Sequence, residues 1–336
     1  MDQLSVFNAE DLNRLLKKRS GETKFGEHVV LLSQLTNIYD DLENLDVDYV
    51  LFGIKEDVGV FANYGKSGAS SAWDAAIKIL LNIQSNAFTN PKKVLILGCL
   101  EFHEQQEQLK TLNQKKKKDV KTARQLVEQI DKTVSHLVYN IVSAGKTPII
   151  IGGGHNNAYG NIKGTSLALK KPINVVNFDA HTDFRAEEGR HSGNGFSYAY
   201  SEGFLKNYFV FGLHENYTSD HIFKTMDHLK SIQYNTFEAI EIRKELKYKT
   251  ELKKVINHVS NTNYGIEIDC DAIVDIPSSA MTPSGFSVTK ARHFVNFFSN
   301  HKNATYLHIC EAAPTKKTAI KVGKLITYLI TDFIKN

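Results

Sequence analysis

The sequence contains few cysteines and no long apolar run. Its three cysteines, Cys99, Cys270 and Cys310, are an odd and sparse set, which argues against a disulfide framework and for reduced thiols. No apolar stretch reaches the roughly 20 residues that a membrane-spanning helix needs. The first residues also lack the basic and then apolar pattern of a secretory signal. We therefore expect a cytoplasmic protein without a membrane partner.

The sequence also lacks a strong net charge. Lys and Arg together number 41 against 37 for Asp and Glu, which gives a formal net charge of +4. This small excess, without a stripe of interleaved basic and aromatic residues, gives no reason to expect a nucleic-acid partner. The block of four lysines from Lys115 to Lys118 is typical of an exposed loop or helix end, with anion binding as the alternative.

Apolar, β-branched runs alternate with helical patterns along most of the chain. The runs predict strands at 49–53, 94–97, 148–151, 173–178, 208–212 and 266–270. Amphipathic patterns predict helices at 120–144 and 318–334, and residues 1–45 are expected to form a peripheral helical segment. Alternation of this kind indicates a doubly wound, mainly parallel sheet. Because no linker or internal repeat interrupts it, we expect one domain over residues 1–336.

Three short runs contain six potential metal ligands. The runs are Gly152-Gly153-Gly154-His155, Asp179-Ala180-His181-Thr182-Asp183 and Asp269-Cys270-Asp271. In extended chain, residues i, i+2 and i+4 face the same way, so each run directs its ligands toward one point. Each run follows a predicted strand, and open α/β sheets place their sites at the carboxyl ends of strands. One such motif is common by chance, but three in this context predict a metal centre.

The charge of these ligands indicates how many ions they hold. Four converging carboxylates would raise one another's pKa values strongly, and two divalent ions balance their four charges. The set therefore predicts a binuclear centre with at least one bridging carboxylate. Oxygen-rich ligands with imidazoles and without thiolates suit manganese, with cobalt, iron or zinc as alternatives. A shared water can then supply hydroxide for hydrolysis, and we favour a carbon-nitrogen hydrolase over a phosphatase, which the ligands alone do not exclude.

In this order and at these separations, the motifs G-G-G-H, D-A-H-T-D and D-C-D resemble those of the ureohydrolases, the arginase, agmatinase and formimidoylglutamase family. The resemblance extends from about Asn63 to the C-terminus. It implies a three-layer α/β/α fold with a central, mainly parallel sheet, a homo-oligomer, two Mn²⁺ ions and hydroxide attack on an amidine carbon. It assigns one ion to His155, Asp179, Asp183 and Asp269, and the other to His181, Asp179, Asp269 and Asp271. It also implies that Asp183 orients the hydroxide.

A seventh residue follows from the same resemblance. The segment from Leu307 to Pro314 resembles the late strand of the family, which ends in E-x-x-P. Its glutamate, Glu311 here, would hold the planar cationic end of the substrate, because a carboxylate can accept two parallel N–H bonds from an amidinium. A glutamate exposed at a strand end is the alternative.

The subfamily is indicated by two positions at which this chain departs from arginase. Arginase-like chains tend to carry G-G-D-H and G-N-x-H-G, whereas Gly154 and Phe196 stand at the corresponding aspartate and histidine. The segments 155–157 and 191–196 instead resemble formimidoylglutamases, which favours hydrolysis of N-formimidoyl-L-glutamate to L-glutamate and formamide. An agmatinase, a guanidino-acid hydrolase or an arginase that releases urea is the alternative, and a non-catalytic metal-binding scaffold is the second.

Three further residues are candidates for contact with this small amidine or guanidine substrate. His191 is a candidate proton shuttle to the leaving amine, with a loop histidine bonded to backbone as the alternative. Asn194, in the same segment, is a candidate substrate-binding residue. Arg185 could clamp a substrate carboxylate in a bidentate manner, or it could pair with Glu187 or Glu188.

Two departures from the family pattern are expected beside the pocket. The run from Asp269 to Pro277 has one residue more than the usual D-x-D-x-x-D-P spacing before its last aspartate, Asp275. The residues Thr315-Lys316-Lys317 follow Pro314 where the family often has an aspartate. These differences leave open a substrate that differs from those of the named members.

Overall fold

A computed structural model describes residues 3–32 and 42–334 of the chain. Apolar and β-branched runs form a sheet of nine strands. The strands are β1 Leu4–Val6, β2 Tyr49–Lys55, β3 Val94–Glu101, β4 Thr147–Ile151, β5 Ile173–Phe178, β6 Leu205–Leu213, β7 Ile232–Thr236, β8 Tyr264–Asp269 and β9 Ala304–Cys310. Their order across the sheet is β1-β3-β2-β4-β9-β8-β5-β6-β7.

The strands of this sheet are parallel except at one edge. β1 pairs antiparallel with β3, and every other neighbouring pair is parallel. β5 and β8 consist of buried residues throughout, as expected for central parallel strands that are covered on both faces.

Helices cover both faces of the sheet. They are α1 Ala9–Leu15, α2 Val58–Ala62, α3 Ala72–Leu80, α4 His103–Lys110, α5 Lys117–Ser143, α6 Asn157–Leu169, α7 Gly195–Ser201, α8 Asp220–His228, α9 Tyr248–Val259, α10 Val288–Ser299 and α11 Ala319–Phe333. One apolar core joins the sheet to α3, α9, α10 and α11, and a second joins it to α5, α6 and α7. The fold is thus a three-layer α/β/α sandwich with a mainly parallel central sheet, as expected. Among the described residues, no helix combines the length and apolar character needed to cross a membrane.

The N-terminal segment differs from the expectation of an all-helical region. Leu4–Val6 forms an edge strand, and only Ala9–Leu15 within the first 32 residues forms an α-helix, which Asn8 caps. Residues 33–41 of the predicted segment lie outside the described residues. The strand was not evident from the sequence because its three residues gain their hydrogen bonds from β3, nearly 100 positions away in the chain. The edge strand β7 was also not predicted.

Four neighbouring strands in the middle of the sheet position the site. β4, β9, β8 and β5 are consecutive in the sheet and parallel, so their carboxyl ends meet at one edge. The three ligand runs and Glu311 all follow these strands. Open parallel sheets bind ligands at this position.

Candidate metal centre

The loop after β4 requires glycine. Gly152 and Gly153 have φ values of 88° and 69°, a backbone region that L side chains rarely adopt. A Cβ atom at Gly153 would also lie 2.5 Å from Nδ2 of Asn157. The N–H of Gly154 donates to Oε1 of Glu56 at 2.9 Å. These constraints turn the chain so that His155 faces the ends of β5 and β8.

The first cluster of ligand atoms, which we term the inner group, consists of His155, Asp179, Asp183 and Asp269. Their ligand atoms lie within 4.8 Å of one another, and all four residues are buried. The distances from Nδ1 of His155 are 2.9 Å to Oδ2 of Asp183 and 3.2 Å to Oδ2 of both Asp179 and Asp269. This is the set that the resemblance assigns to one ion.

The second cluster, which we term the outer group, consists of Asp179, His181 and Asp271. Nδ1 of His181 lies 3.0 Å from Oδ2 of Asp271 and 3.6 Å from Oδ1 of Asp179. Asp179 therefore belongs to both groups through different oxygen atoms. Asp269 was expected in both groups. Its ligand atom lies within 4.8 Å of all the other ligand atoms in the inner group only.

The contacts of the inner group fit a shared cation better than hydrogen bonding. Nδ1 and Nε2 of His155 and Oδ1 of Asp271 are buried without a hydrogen-bond partner. Such orphaned polar atoms are costly in a folded protein. Two ligands bound about 2.1 Å from one ion at right angles lie about 3 Å apart, which is the spacing around Nδ1 of His155. The residues present therefore fit a metal ion.

The pKa values of the buried carboxylates also indicate that bound cations would stabilise the centre. Burial raises the pKa of Asp269 well above its usual value, and the charges of Asp271 and Asp179 raise it further. Burial likewise raises the pKa of Asp183. Burial opposes the charge on His155, yet the surrounding carboxylates raise its pKa well above the usual value. Divalent ions would stabilise all of these carboxylates in the ionised form.

Two of the expected site residues have unusual backbone conformations. Asp183 and Glu311 have φ values of 42° and 59°, in the left-handed region that non-glycine residues seldom occupy. Strain of this kind persists only when surrounding structure enforces it, and it is concentrated at functional sites. The backbone therefore places both carboxylates at a local energetic cost.

Glu311 is buried at the centre rather than exposed at a strand end. Its side chain is 5% exposed, and Oε1 accepts the backbone N–H of His155 at 2.9 Å. Burial raises its pKa to about 8. Glu311 lines the cavity described next, beside Asp183 and Asp271, so its carboxylate is available to a ligand there.

A cavity of about 670 Å³ opens onto these residues. Its inner wall contains His181, Asp183, Asp269, Asp271 and Glu311. Tyr217 lines it as well, and its ring stacks on His181 with centroids 5.3 Å apart at an interplanar angle of 14°. The centre is therefore accessible to a small molecule from one side.

Arg185 lines this cavity and is half exposed. Its Nη1 donates to Oδ1 of Asn63 at 2.7 Å, and its Nη2 pairs with Oε1 of Glu188 at 3.0 Å. The structure thus realises the pairing with Glu188 that was the alternative to a substrate clamp. Because Arg185 lines the cavity, it could still clamp a substrate carboxylate if that carboxylate displaces Glu188.

His191 and Asn194 are not among the residues that line the cavity. Nδ1 of His191 accepts the N–H of Gly193 at 3.1 Å, which caps a short 3₁₀ turn. Burial lowers the pKa of His191 to about 3, and the positive charges of Arg185, Arg124 and Arg190 lower it further. This placement favours the alternative for His191, a buried loop histidine bonded to backbone.

Asn194 has a structural set of partners. Its Oδ1 accepts from Nη1 of Arg190 at 2.6 Å and from the N–H of His191 at 3.0 Å. Its Nδ2 donates to the carbonyl of Gly189 at 2.9 Å. Because these bonds use the side chain within its own loop, the structure does not place Asn194 in contact with a ligand in the cavity.

Phe196, the residue that stands in place of the arginase-like histidine, is fully buried. Its ring meets that of His155 edge to face, with centroids 5.1 Å apart, and stacks on Tyr208 at 4.4 Å. Phe196 therefore supports the inner group with an apolar wall and takes no part in the cavity.

The residues that carry the two departures from the family pattern are not among those that line the cavity, although Asp271 and Ser279 on either side of Asp275 are. Asp275 is exposed, and its backbone N–H donates to the carbonyl of Thr282. Lys316 and Lys317 are also exposed, and none of these three residues lines the cavity. Their side chains therefore cannot select a substrate directly.

Sequence reasoning did not identify several residues around the centre. Tyr217 gave no signal, because its contact with His181 depends on the loop after β6. Glu267 did give one, since it is a charged residue in the otherwise apolar strand Tyr264–Asp269. Glutamate is depleted in strands, and a buried one needs a partner.

The fold and the donor set together are typical of a class, that of metal-dependent enzymes with a three-layer α/β/α fold and their ligands at the carboxyl ends of parallel strands. Within that class, the model of the arginase family matches residues 50–334. The chain therefore belongs to the arginase family and is a metal-dependent amidinohydrolase of that family, which confirms the resemblance seen in its motifs.

Individual relatives point to one branch of the family. The chain is 24% identical over 295 residues to a formimidoylglutamase from Streptococcus pyogenes, with 84% of each chain covered. Its fold is similar to that of Bacillus subtilis formimidoylglutamase, with a TM-score of 0.71, 17% identity, and 97% of this chain and 98% of that chain covered. It is also similar to the Trypanosoma cruzi formiminoglutamase crystallised with Mn²⁺, with a TM-score of 0.68, 19% identity, and 88% and 97% covered.

Proposed function

We propose that this protein hydrolyses a C–N bond of a linear amidine with two Mn²⁺ ions, and that its substrate is N-formimidoyl-L-glutamate. The products are L-glutamate and formamide. The observation that carries the proposal is the convergence of both ligand groups with the buried carboxylate of Glu311 at the inner wall of one cavity. The formimidoylglutamase relatives support the choice of substrate.

The inner group would hold one ion, and the outer group with Asp269 would hold the other. Asp179 is suited to bridge them, since Oδ2 faces His155 and Oδ1 faces His181. When bound, two divalent ions supply a nucleophile at neutral pH by lowering the pKa of a shared water. Manganese is the preferred ion because the donors are oxygen and imidazole nitrogen, and the Trypanosoma cruzi relative contains Mn²⁺.

Glu311 would orient the amidine. A planar amidinium presents two parallel N–H groups, and a carboxylate accepts both in charge-assisted hydrogen bonds. A cation facing Glu311 favours its ionised form even though burial raises its pKa. The amidine carbon would then lie near both ligand groups.

Asp183 would transfer a proton from the attacking water to the leaving nitrogen. Its carboxylate lies in the cavity wall and belongs to the inner group. From this position it can orient the attacking water by accepting a hydrogen bond, take up the proton that the water loses, and give that proton to the leaving nitrogen. This role replaces the one first considered for His191.

Arg185 would recognise the other end of the substrate. Its guanidinium is half exposed at the cavity and is held by Asn63 and Glu188. A substrate carboxylate could displace Glu188 and form the bidentate pair that guanidinium groups favour. N-formimidoyl-L-glutamate provides such carboxylates, whereas agmatine does not.

A product assay tests the proposed substrate. Purified protein loaded with manganese is offered N-formimidoyl-L-glutamate, L-arginine, agmatine and a guanidino acid, and formamide and urea are measured separately. We expect formamide from the first substrate at the highest kcat/KM. Higher kcat/KM for urea release would instead identify a guanidine hydrolase, and no turnover of any substrate by metal-loaded protein would indicate a binding scaffold. Arg185→Leu should raise the KM for substrates with a carboxylate and leave that for agmatine unchanged.

We further propose that residues 1–336 form one ureohydrolase-like domain that assembles as a homo-oligomer in the cytoplasm. The support is the family resemblance and the single sheet that runs through the described residues. Light scattering during size-exclusion chromatography would determine the assembly, and a mass equal to that of one chain would contradict it.

A further inference from the structure

Glu267 is a carboxylate in the interior of the sheet, behind the inner group. It lies on β8 two residues before Asp269 and is fully buried. Its Oε1 accepts the hydroxyl hydrogen of Tyr306 at 2.8 Å, and its Oε2 lies 2.6 Å from Nδ1 of His308. Tyr306 and His308 are on the neighbouring strand β9 and are fully buried as well. Two strands therefore fix the position of this carboxylate.

His308 connects the same carboxylate to the glycine loop. Its Nε2 lies 3.2 Å from the carbonyl oxygen of Gly152, which can only accept a hydrogen bond. Nε2 therefore donates to this carbonyl, and Nδ1 donates to Oε2 of Glu267, because a carboxylate oxygen can also only accept. The loop that carries His155 and the strand that carries Asp269 are thus linked through one imidazole ring.

The third neighbour of this carboxylate is His155 itself. Nε2 of His155 lies 3.6 Å from Oε2 of Glu267 and has no hydrogen-bond partner. Nδ1, on the other side of the ring, faces the three carboxylates of the inner group. A metal ion bound through Nδ1 requires that this nitrogen be deprotonated, so the ring hydrogen must be on Nε2. It then points at Glu267.

We propose that Glu267, held by His308 and Tyr306, is a positioning residue that fixes the tautomer and orientation of His155 for metal binding. The hydrogen bond from Nε2 to Oε2 forms by a small approach of the two atoms when an ion occupies the inner group. Partners of this kind also raise the basicity of the metal-binding nitrogen. The inference rests on the proposed metal centre and adds to it a determinant of affinity outside the ligand set.

The cost of burying these groups supports a functional role. A buried ion pair is weak evidence for stability, because removing charges from water costs several kcal/mol per ion before pairing offsets it. Glutamate is depleted in strands, so a fully buried one in β8 calls for a specific reason. Glu267 and His308 lie directly behind the imidazole of His155, where they can orient this ligand.

The test compares Glu267→Gln with the wild-type protein and with a matched control. Gln keeps the shape and can still accept at the position of Oε2, but it removes the charge. The control is Glu251→Gln, which changes another buried glutamate whose Oε2 accepts from Nδ2 of Asn235 at 3.0 Å. Glu251 is on α9 and Asn235 on β7, and neither element carries a residue of the ligand groups. Manganese affinity is measured by titration of the metal-free proteins, and the visible absorption bands of the cobalt-loaded proteins report the ligand geometry.

We expect Glu267→Gln to bind the ion of the inner group about 10-fold to 100-fold more weakly and to shift the cobalt bands. The control should match the wild-type protein in both measurements. Affinity within about threefold of wild type and an unchanged cobalt spectrum would overturn the positioning role. Wild-type protein that binds no divalent ion would be a different failure, that of the proposed metal centre itself.

A second pair of variants decides the question if Glu267→Gln does not fold. His308→Asn retains a donor toward Glu267, whereas His308→Leu removes it. Positioning through Glu267 requires the Leu variant to bind metal more weakly than the Asn variant. Equal and wild-type-like affinity in both variants would show that His155 is held without this pair.

Discussion

The two histidines of the site lie in opposite surroundings. The side chain of His155 is completely buried between the edge of Phe196 and the Glu267 carboxylate, and its Nδ1 is close to three carboxylates. The side chain of His181 is 29% exposed, stacks on the half-exposed Tyr217 and faces the cavity. One histidine is enclosed by the protein, and the other is open to solvent and ligand.

This difference implies that the two ligand groups have different tasks. Interactions between charges are stronger in a buried, low-dielectric environment than near solvent. The inner group should therefore hold its ion tightly and keep the site assembled. The outer group should exchange its ion more readily and contact the substrate. The following predictions test this contrast, in order of decreasing expected effect.

Asp179→Ala should impair metal binding by both the inner and the outer group, because Asp179 contributes to both. We expect metal content to fall from about two ions per chain to nearly none, and kcat/KM to fall by at least about 10³-fold, or about 4 kcal/mol. Elemental analysis of dialysed protein measures the first effect and a product assay the second. Asp275→Asn, at an exposed aspartate that belongs to neither ligand group, serves as the control and should retain both ions. An Asp179→Ala protein that keeps two ions would contradict a bridging role.

Glu311→Gln should separate metal binding from catalysis. The amide can still accept the N–H of His155, so the fold and both ions should remain. The loss of the charge facing the amidinium should lower kcat/KM by about 10²-fold, or about 2.7 kcal/mol. Metal analysis and steady-state kinetics are measured on the same sample. Near-normal activity would mean that another residue holds the amidine.

Replacing His181 and His155 one at a time should distinguish the metal binding of the outer group from that of the inner group. His181→Ala should lose the outer ion and keep the inner one, and His155→Ala should weaken the tighter site. In the wild-type protein, a chelator should then remove the two ions in two phases, with affinities that differ by about tenfold, or about 1.4 kcal/mol. Release in one phase, with identical effects of the two substitutions, would show that burial does not distinguish the groups.

His191→Asn should have the smallest effect on activity. Burial lowers the pKa of His191 to about 3, so the ring is neutral throughout the range in which an unperturbed histidine titrates. Asn retains an acceptor near Nδ1 for the N–H of Gly193. We expect kcat/KM within about threefold of wild type and an unchanged shape of its pH profile. Loss of one limb of that pH profile would instead support His191 as the proton shuttle.

The same residue should affect stability in acid. The unfolded chain binds a proton at His191 below about pH 6.5, whereas the folded protein does not until about pH 3. The free energy of unfolding therefore rises with pH between these values through this group. His191→Asn should lower the sensitivity of the melting temperature to acid between pH 5 and 7, and an unchanged sensitivity would indicate that His191 titrates normally.

Much of the site could be predicted from the sequence because its signals are local. The strands before His155, Asp179 and Asp269 are short apolar runs, and the structure places them within one or two residues of the expected positions. Ligand spacing within each run follows from the alternation of side chains in extended chain. The edge strand Leu4–Val6 could not be predicted, since its pairing depends on a partner far away in the chain.

The roles of the residues after Asp183 could not be predicted for the same reason. His191 and Asn194 lie in a loop whose path is fixed by Arg190, which is buried between the rings of Tyr159 and Tyr198 and pairs with Asp131. Two partners of Arg190 are distant in the chain, 59 positions away at Asp131 and 34 away at the carbonyl of Asn156. A motif in the loop gives no information about these contacts.

The sequence alone determined which ligand atoms are available, their order along the chain and the strand ends that bring them together. Only the tertiary structure decided that His155 is enclosed and His181 exposed, that Asp179 faces both groups, and that Glu267 and His308 stand behind the inner group. The physical reason is that strand periodicity is a short-range property, whereas burial, side-chain partners and loop direction depend on packing between segments that are distant in the chain.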